Sequence, residues 1–181
     1  MQGPEAVIEF WFVEHDYEDW FGGKPEFDDK LAARFSGLHG EVARGEAWTW
    51  RETPEGRLAE LIVLDQFSRQ LHRGSPDAFA QDKMALVLAQ EAVAAGADDA
   101  VAREWAQFFY MPYMHAESLV IQNEGVRLFE LHGVDALLQF MTDHRDTIAR
   151  FGRFPFRNRA LGRQSTDAEL AYMKEQGERA F

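Results

Sequence analysis

The chain has 181 residues, of which 46% are hydrophobic and 13% aromatic, a size and composition that allow one domain with a substantial core and exclude a mainly disordered chain. It contains no cysteine, which excludes disulfides, thiolate metal sites and a cysteine nucleophile. The formal net charge of −12 weighs against general nucleic-acid binding, because neutralising phosphates requires an accessible basic surface.

The amino-terminal stretch lacks the features of a signal peptide. No basic leader opens it, and Glu9 interrupts its apolar run. No apolar stretch approaches the roughly 18 residues that a membrane-spanning helix requires. We therefore expect a soluble, cytoplasmic protein with no membrane partner, and the absence of cysteine fits a reducing compartment.

Helical periodicity dominates the first half of the chain. Thr53 and Ser75 each precede a proline, and this pair is typical of an N-cap followed by the first helical residue. Glycines follow the periodic segments and indicate where helices end. The pattern predicts helices over Pro4–Phe12, Pro25–Gly45, Pro54–Gly74 and Pro76–Gly96.

The second half of the chain continues the same pattern. It predicts a helix from about Asp98 to Phe109, an interruption at Pro112, and two further helices that end at Gly133 and Gly152. Thr166 and Glu169 form a capping-box pattern that opens a last helix. No run of alternating apolar residues suggests a strand. We expect an all-α fold of about eight helices in a single domain over residues 1–181.

The helix predicted after Pro54 is apolar on nearly all sides, which favours a central, buried position. Asp65 lies on its apolar stripe, and Arg69 and Arg73 follow at four-residue steps. A buried carboxylate must be paired or hydrogen-bonded to remain ionised. Asp65 is therefore either a core salt-bridge residue, with Arg69 as its expected partner, or an acid–base group.

Two histidines also lie on predicted apolar stripes. His115 is expected to share a stripe with Gln122, and His144 continues the stripe of the following helix, whereas Glu117 lies on another side. Each histidine is either a hydrogen-bonded core residue or an acid–base group. Their spacing matches no zinc or di-iron motif, so no metal site is predicted. No phosphate-binding loop or dinucleotide fingerprint is present, so no cofactor is expected.

Arginine is concentrated in one segment near the carboxyl end, "FGRFPFRNRALGR" at residues 151–163. Between His144 and Arg163 there are six arginines and one acidic residue, Asp146. Gly152, Pro155 and the later Gly162 exclude a continuous helix there. The segment is either an anion pocket formed with the central helix, or an ordered coil whose arginines cap helices and pair with Asp65 or Asp82.

The strong negative charge of the rest of the chain disfavours a third interpretation, single-stranded nucleic-acid binding. The candidate ligand-binding residues are Arg69, Arg73, Gln122, Arg153, Arg157, Asn158 and Arg163.

Four stretches of the chain resemble an uncharacterised bacterial family, domain of unknown function nine-two-four: "FWF", "LAELIVLDQFSRQLHRGSPDAFAQD", "FFYMPYMHAESLVIQ" and "RFGRFPFRNRALGRQST". The resemblance spans nearly the whole chain. It implies an all-α fold similar to tetratricopeptide-type helix stacks, and it implies no particular reaction. The residues that match the family pattern include Asp65, Arg69, His115, Glu117, Arg153, Arg157 and Asn158, whereas Phe156 stands where the pattern has a histidine.

Three functions are compatible with these patterns. The first is a binding module whose arginine-lined pocket holds a small anionic ligand or a peptide carboxylate. The second is a hydrolase or other acid–base enzyme that uses His115 or His144 with Asp65 or Glu117. The third is a structural or protein-interaction domain in which the arginine network only fixes helix packing. The patterns leave open whether the protein is an enzyme, and they do not fix its oligomeric state.

Overall fold

A computed structural model describes residues 2–177, and these residues contain no strand, so the predicted all-α class is confirmed. No helix within this range is both long and apolar enough to cross a membrane. The α-helices are α1 (Pro4–Phe12), α2 (Tyr17–Phe21), α3 (Pro25–Ala43), α4 (Pro54–Leu61), α5 (Ser68–Leu71), α6 (Asp82–Ala94), α7 (Arg103–Met114), α8 (Leu119–His132), α9 (Asp135–Phe151) and α10 (Asp167–Gln176). Short 3₁₀ helices cover Trp48–Glu52, Pro76–Phe79 and Pro155–Arg157.

A π-helical segment, Ile62–Phe67, joins α4 to α5 without a break, and we call this continuous rod the central helix. All of its residues from Leu58 to Ser68 are buried, as the apolar sequence predicts. Helices α1, α3, α6 and α7 contact it. The ring of Phe67 packs 5.6 Å from that of Trp11 in α1 and 5.2 Å from that of Phe35 in α3, measured between centroids.

Helices α7, α8 and α9 pack against one another in the second half of the fold. Gly125 of α8 permits their close approach, because a β-carbon there would come within 2.8 Å of Met141 in α9 and 3.2 Å of Tyr113 in α7. Gly133 and Gly152, with φ of 74° and 70°, end α8 and α9 at the predicted positions.

The predicted interruption at Pro112 is wrong, because α7 continues through this residue to Met114. Pro112 lies in the last turn of the helix, where its missing N–H removes a single backbone hydrogen bond. Helix α8 begins only at Leu119. His115 is therefore the C-cap residue of α7, in the turn before α8, and does not share a helical stripe with Gln122 as predicted.

Other helix boundaries also differ from the prediction. The segment predicted as a helix from Pro76 is a 3₁₀ turn, and α6 begins at Asp82. Helix α7 begins at Arg103 and not near Asp98. Helix α2 was not predicted, since five residues are too few to show a period.

Candidate functional site

Asp65 and His115 form the centre of the candidate site. The π-helical segment carries Asp65, whose side chain is 2% exposed and accepts a 2.7 Å hydrogen bond from Nδ1 of His115. A carboxylate can only accept, so the proton of the imidazole lies on Nδ1. His115, at the end of α7, is 14% exposed. π-Helical turns occur frequently at functional sites, and this one holds a charged group inside the core.

Arg69 bridges two carboxylates beside this pair. Its Nη1 lies 3.1 Å from Oδ1 of Asp65, as the four-residue spacing predicts, and 3.0 Å from Oδ1 of Asp82 in α6. The same nitrogen donates to the backbone carbonyl of Asp65 at 2.6 Å, and Nη2 donates to Asp82 at 3.2 Å. Arg69 thus joins the central helix to the start of α6 through charge-assisted hydrogen bonds.

Arg157 enters the same cluster from the arginine-rich segment. Its guanidinium donates to Oδ2 of Asp82 and to the backbone carbonyl of His115, both at 3.1 Å, so it caps the end of α7. It lies between the rings of Phe79 and Phe154, 4.6 and 4.5 Å from their centroids, and its side chain is 6% exposed. Burial lowers the pKa of Arg157 to about 10, which leaves it charged at neutral pH.

The charges of this cluster set the protonation of Asp65 and His115. Burial disfavours the ionised carboxylate, but Arg69 and His115 outweigh it and hold the pKa of Asp65 well below its usual range. Burial, reinforced by the charge of Arg69, lowers the pKa of His115 below its ordinary value despite the nearby carboxylate. At neutral pH the pair therefore consists of an anionic Asp65 and a neutral imidazole with an unprotonated Nε2.

His144 lies next to this pair, with its ring centroid 6.4 Å from that of His115. Its Nδ1 donates to the backbone carbonyl of Phe140 at 2.7 Å, and the residue is 6% exposed. Burial lowers the pKa of His144 to about 3, so this imidazole is also neutral at pH 7.

Glu117 and Arg163 form a second connection between the turn after α7 and the arginine-rich segment. Arg163 donates to both carboxylate oxygens of Glu117, at 2.8 and 3.0 Å, and Glu117 accepts from the backbone N–H of Phe154 at 2.8 Å. Although burial acts in the opposite direction, these hydrogen bonds lower the pKa of Glu117. This ion pair lies on the rim, with both side chains about a quarter exposed.

The remaining predicted residues lie outside the cluster. Arg153 binds Glu169 of α10 through two hydrogen bonds, at 2.7 and 2.9 Å. Arg73 pairs with Asp28 of α3 at the surface. The amide of Asn158 donates to Ser165, and that of Gln122 donates to the carbonyls of Met114 and Ala116. The ring of Phe156 lies against that of Tyr172.

Sequence reasoning missed Gln66 as a partner of Asp65. Its amide donates to Oδ2 of Asp65 at 2.6 Å and lies 3.4 Å from the sulfur of Met111. Adjacent residues on an α-helix do not face each other, so no sequence signal indicates this contact. No group of three or more acidic or histidine side chains within residues 2–177 is placed to hold a metal ion.

Two comparisons relate this arrangement to other proteins. The sequence profile of a family described as bacterial protein of unknown function (DUF924) matches residues 7–177. The solved structure of a protein of unknown function, ATU0120 from Agrobacterium tumefaciens, is similar, with 36% identity, a TM-score of 0.91, and coverage of 95% of this chain and 97% of that chain. No curated protein matches the sequence.

Proposed function

The chain belongs to the bacterial DUF924 family, and we propose that it is an acid–base enzyme in which His115 acts as a general base on a small polar substrate. The observation that carries this proposal is the 2.7 Å hydrogen bond from Nδ1 of His115 to the buried carboxylate of Asp65. A base fixed in one tautomer by a buried carboxylate is the arrangement that hydrolases of unrelated folds share.

The difference in exposure between the two side chains supports this role. Asp65 is 2% exposed and is inaccessible to a substrate, whereas His115 is 14% exposed. The lowered pKa of His115 keeps its imidazole neutral at pH 7, so Nε2 can accept a proton there. Asp65 is then a positioning residue, and His115 is the residue that meets the substrate.

Arg69 supplies a permanent positive charge beside the base. It is 18% exposed, and the two carboxylates it bridges outweigh burial and raise its pKa. A fixed guanidinium at the edge of a partly desolvated site stabilises negative charge that develops on a substrate oxygen.

The reaction that fits these groups is hydrolysis. Nε2 of His115 takes a proton from a water molecule, and the resulting hydroxide attacks an electrophilic carbon or phosphorus of the substrate. The same nitrogen then returns the proton to the leaving group, so the base is restored at the end of the cycle.

A substrate screen with matched variants tests the proposal. Wild type, His115→Asn and the control His72→Asn, which alters a histidine outside the cluster, are assayed against chromogenic carboxylic esters, phosphomonoesters and phosphodiesters. We expect wild type and the control to turn over at least one substrate. The rate for His115→Asn should be lower by at least about 10²-fold, at unchanged melting temperature. Equal rates for all three proteins, or no turnover of any substrate class, would contradict a hydrolytic general base.

A binding module for a small anion is the second candidate, favoured by a cavity of about 550 Å³ beside the arginine-rich segment. Arg150, Arg153 and Thr166 line it, and Arg150 has no ion pair with any described residue. Arg153 already binds Glu169, which also lines this cavity, so Arg150 is the arginine that would hold the anion. Arg69, Arg157 and Arg163 likewise bind carboxylates, which weighs against an anion at the cluster itself. Stabilisation by phosphate or citrate that is lost in Arg150→Gln, with no hydrolysis, would favour this candidate.

A further inference from the structure

A second cavity, of about 420 Å³, lies where the connection from α6 to α7 meets α8. None of the residues of the Asp65–His115 cluster lines it. Its apolar lining includes Val93, Val101, Leu128 and the exposed Leu131. The volume is in the range of small-molecule sites, which combine an apolar lining with a few placed polar groups.

His132 also lines this cavity, and its ring has no hydrogen-bond partner among the described residues. The residue is 7% exposed, and neither ring nitrogen bonds to any residue between positions 2 and 177, whereas its backbone carbonyl accepts a hydrogen bond from Arg103. Its ring lies 5.8 Å from that of Tyr110 between centroids. An imidazole without a partner in a cavity wall can donate one hydrogen bond to a bound ligand and accept another from it.

Two charged side chains, Arg103 and Asp98, also line this cavity, and neither forms an ion pair with a described residue. Arg103 donates to the backbone carbonyl of His132 at 2.6 Å and forms no ion pair with any described carboxylate. Asp98 accepts a 2.8 Å hydrogen bond from the hydroxyl of Tyr110 and has no cation partner in the described part of the chain. The arginines of the Asp65–His115 cluster, in contrast, are all paired with carboxylates.

We propose that this cavity binds a zwitterionic α-amino acid with an apolar side chain. Arg103 binds the carboxylate through the guanidinium donors that the backbone carbonyl leaves unused. Asp98 binds the ammonium group, and His132 completes the polar contacts. The apolar side chain of the ligand packs on Val101 and Leu128.

This site does not depend on the proposed hydrolytic function, because the two sets of residues are separate. If the protein binds an amino acid here but hydrolyses no ester, the proposed binding site stands and the proposed hydrolytic function fails. If it hydrolyses an ester but binds no amino acid, the hydrolytic function stands and the binding site fails.

Calorimetric and NMR titrations with L-leucine test the proposal on the full chain. L-Leucine methyl ester lacks the carboxylate charge, and N-acetyl-L-leucine lacks the ammonium group. Arg103→Gln and Asp98→Asn remove the two charged contacts, and Arg73→Gln, whose arginine pairs with Asp28 elsewhere on the surface, is the control. Melting temperatures are measured for each variant to establish that it is folded.

We expect leucine to shift the NMR signals of Val101, Leu128 and His132, with at least about tenfold weaker binding for both analogues and both cavity variants. The control variant is expected to bind as wild type does. No binding of leucine, shifts confined to another surface, or equal affinity for leucine and either analogue would overturn the proposal.

Discussion

At the scale of single residues, the unusual feature is a set of ionisable groups held inside a helical core. Asp65 is 2% exposed and remains anionic because Arg69, His115 and Gln66 all contact its carboxylate. The same burial that would penalise an isolated charge depresses the pKa of His115. A carboxylate that orients a neutral imidazole is therefore a direct consequence of where these side chains are buried.

His144 provides a test of this burial through the pH dependence of stability. Its pKa is about 3 in the folded chain and near 6.5 when exposed, so the unfolded state binds a proton more readily. The buried, neutral imidazole therefore contributes fully to the free energy of unfolding above pH 6.5. This contribution is lost as the pH falls from 6.5 toward 3, because the unfolded chain takes up a proton that the folded chain does not. In His144→Gln we expect the slope of that free energy against pH to decrease by up to about 1.4 kcal/mol per pH unit in this window.

Urea unfolding at a series of pH values measures these slopes. His15→Gln is the matched control, because His15 lies at the opposite end of the chain and contacts Asp19. A His144→Gln slope equal to that of wild type between pH 3 and 6.5 would show that His144 is not buried as described.

At the scale of elements, the capping residues and the glycine stops are the part of the fold that the sequence makes predictable. Thr53 and Thr166 cap α4 and α10 as expected, and Gly133 and Gly152 end their helices. These signals depend only on local backbone geometry, which explains why single residues suffice to indicate them.

The π-helical segment and the course of α7 could not be predicted in the same way. Both depend on packing: the segment Ile62–Phe67 is fully buried among other helices, and α7 carries Pro112 in its last turn. Sequence patterns therefore identified Asp65 and His115 as candidates, but placed His115 on the wrong helix. Their contact is tertiary, between residues 50 positions apart, and helical spacing carries no information about it.

The packing of α8 between α7 and α9 makes a prediction at this scale. Gly125→Ala adds a methyl group that meets the fully buried Met141, so we expect a lower melting temperature despite the better helix propensity of alanine. Gly37→Ala is the control, because the added methyl at this exposed position of α3 meets nothing within 4 Å. It should stabilise the chain by about 0.5–1 kcal/mol. Equal gains in both variants would contradict the close approach of α8 and α9.

At the scale of the whole molecule, three segments far apart in the chain meet at one cluster. The central helix contributes Asp65, the end of α7 contributes His115, and the arginine-rich segment contributes Arg157. The concentration of arginine in an acidic chain thus has a structural explanation, since Arg153, Arg157 and Arg163 each bind a carboxylate of another element.

Replacing Arg157 by leucine tests this connection. The change leaves the backbone carbonyl of His115 without the guanidinium that donates to it, and it removes one of the two cations that contact Asp82 within residues 2–177. We therefore expect a loss of about 3 kcal/mol in stability. Arg150→Leu, which removes an exposed arginine of the same region, should change stability by less than about 1 kcal/mol. Thermal and urea unfolding compare the two, and similar losses would mean that Arg157 does not hold the segments together.

The central claim is that His115 is a neutral base whose Nδ1 proton is held by Asp65, and an NMR titration of ¹⁵N-histidine-labelled protein tests it most directly. The ring-nitrogen shifts of His115 should show a protonated Nδ1 and an unprotonated Nε2 at pH 7, with a pKa below 6.5, and Asp65→Asn should weaken the preference for this tautomer. A pKa at or above 6.5, or a proton on Nε2 in the wild-type chain, would contradict the account.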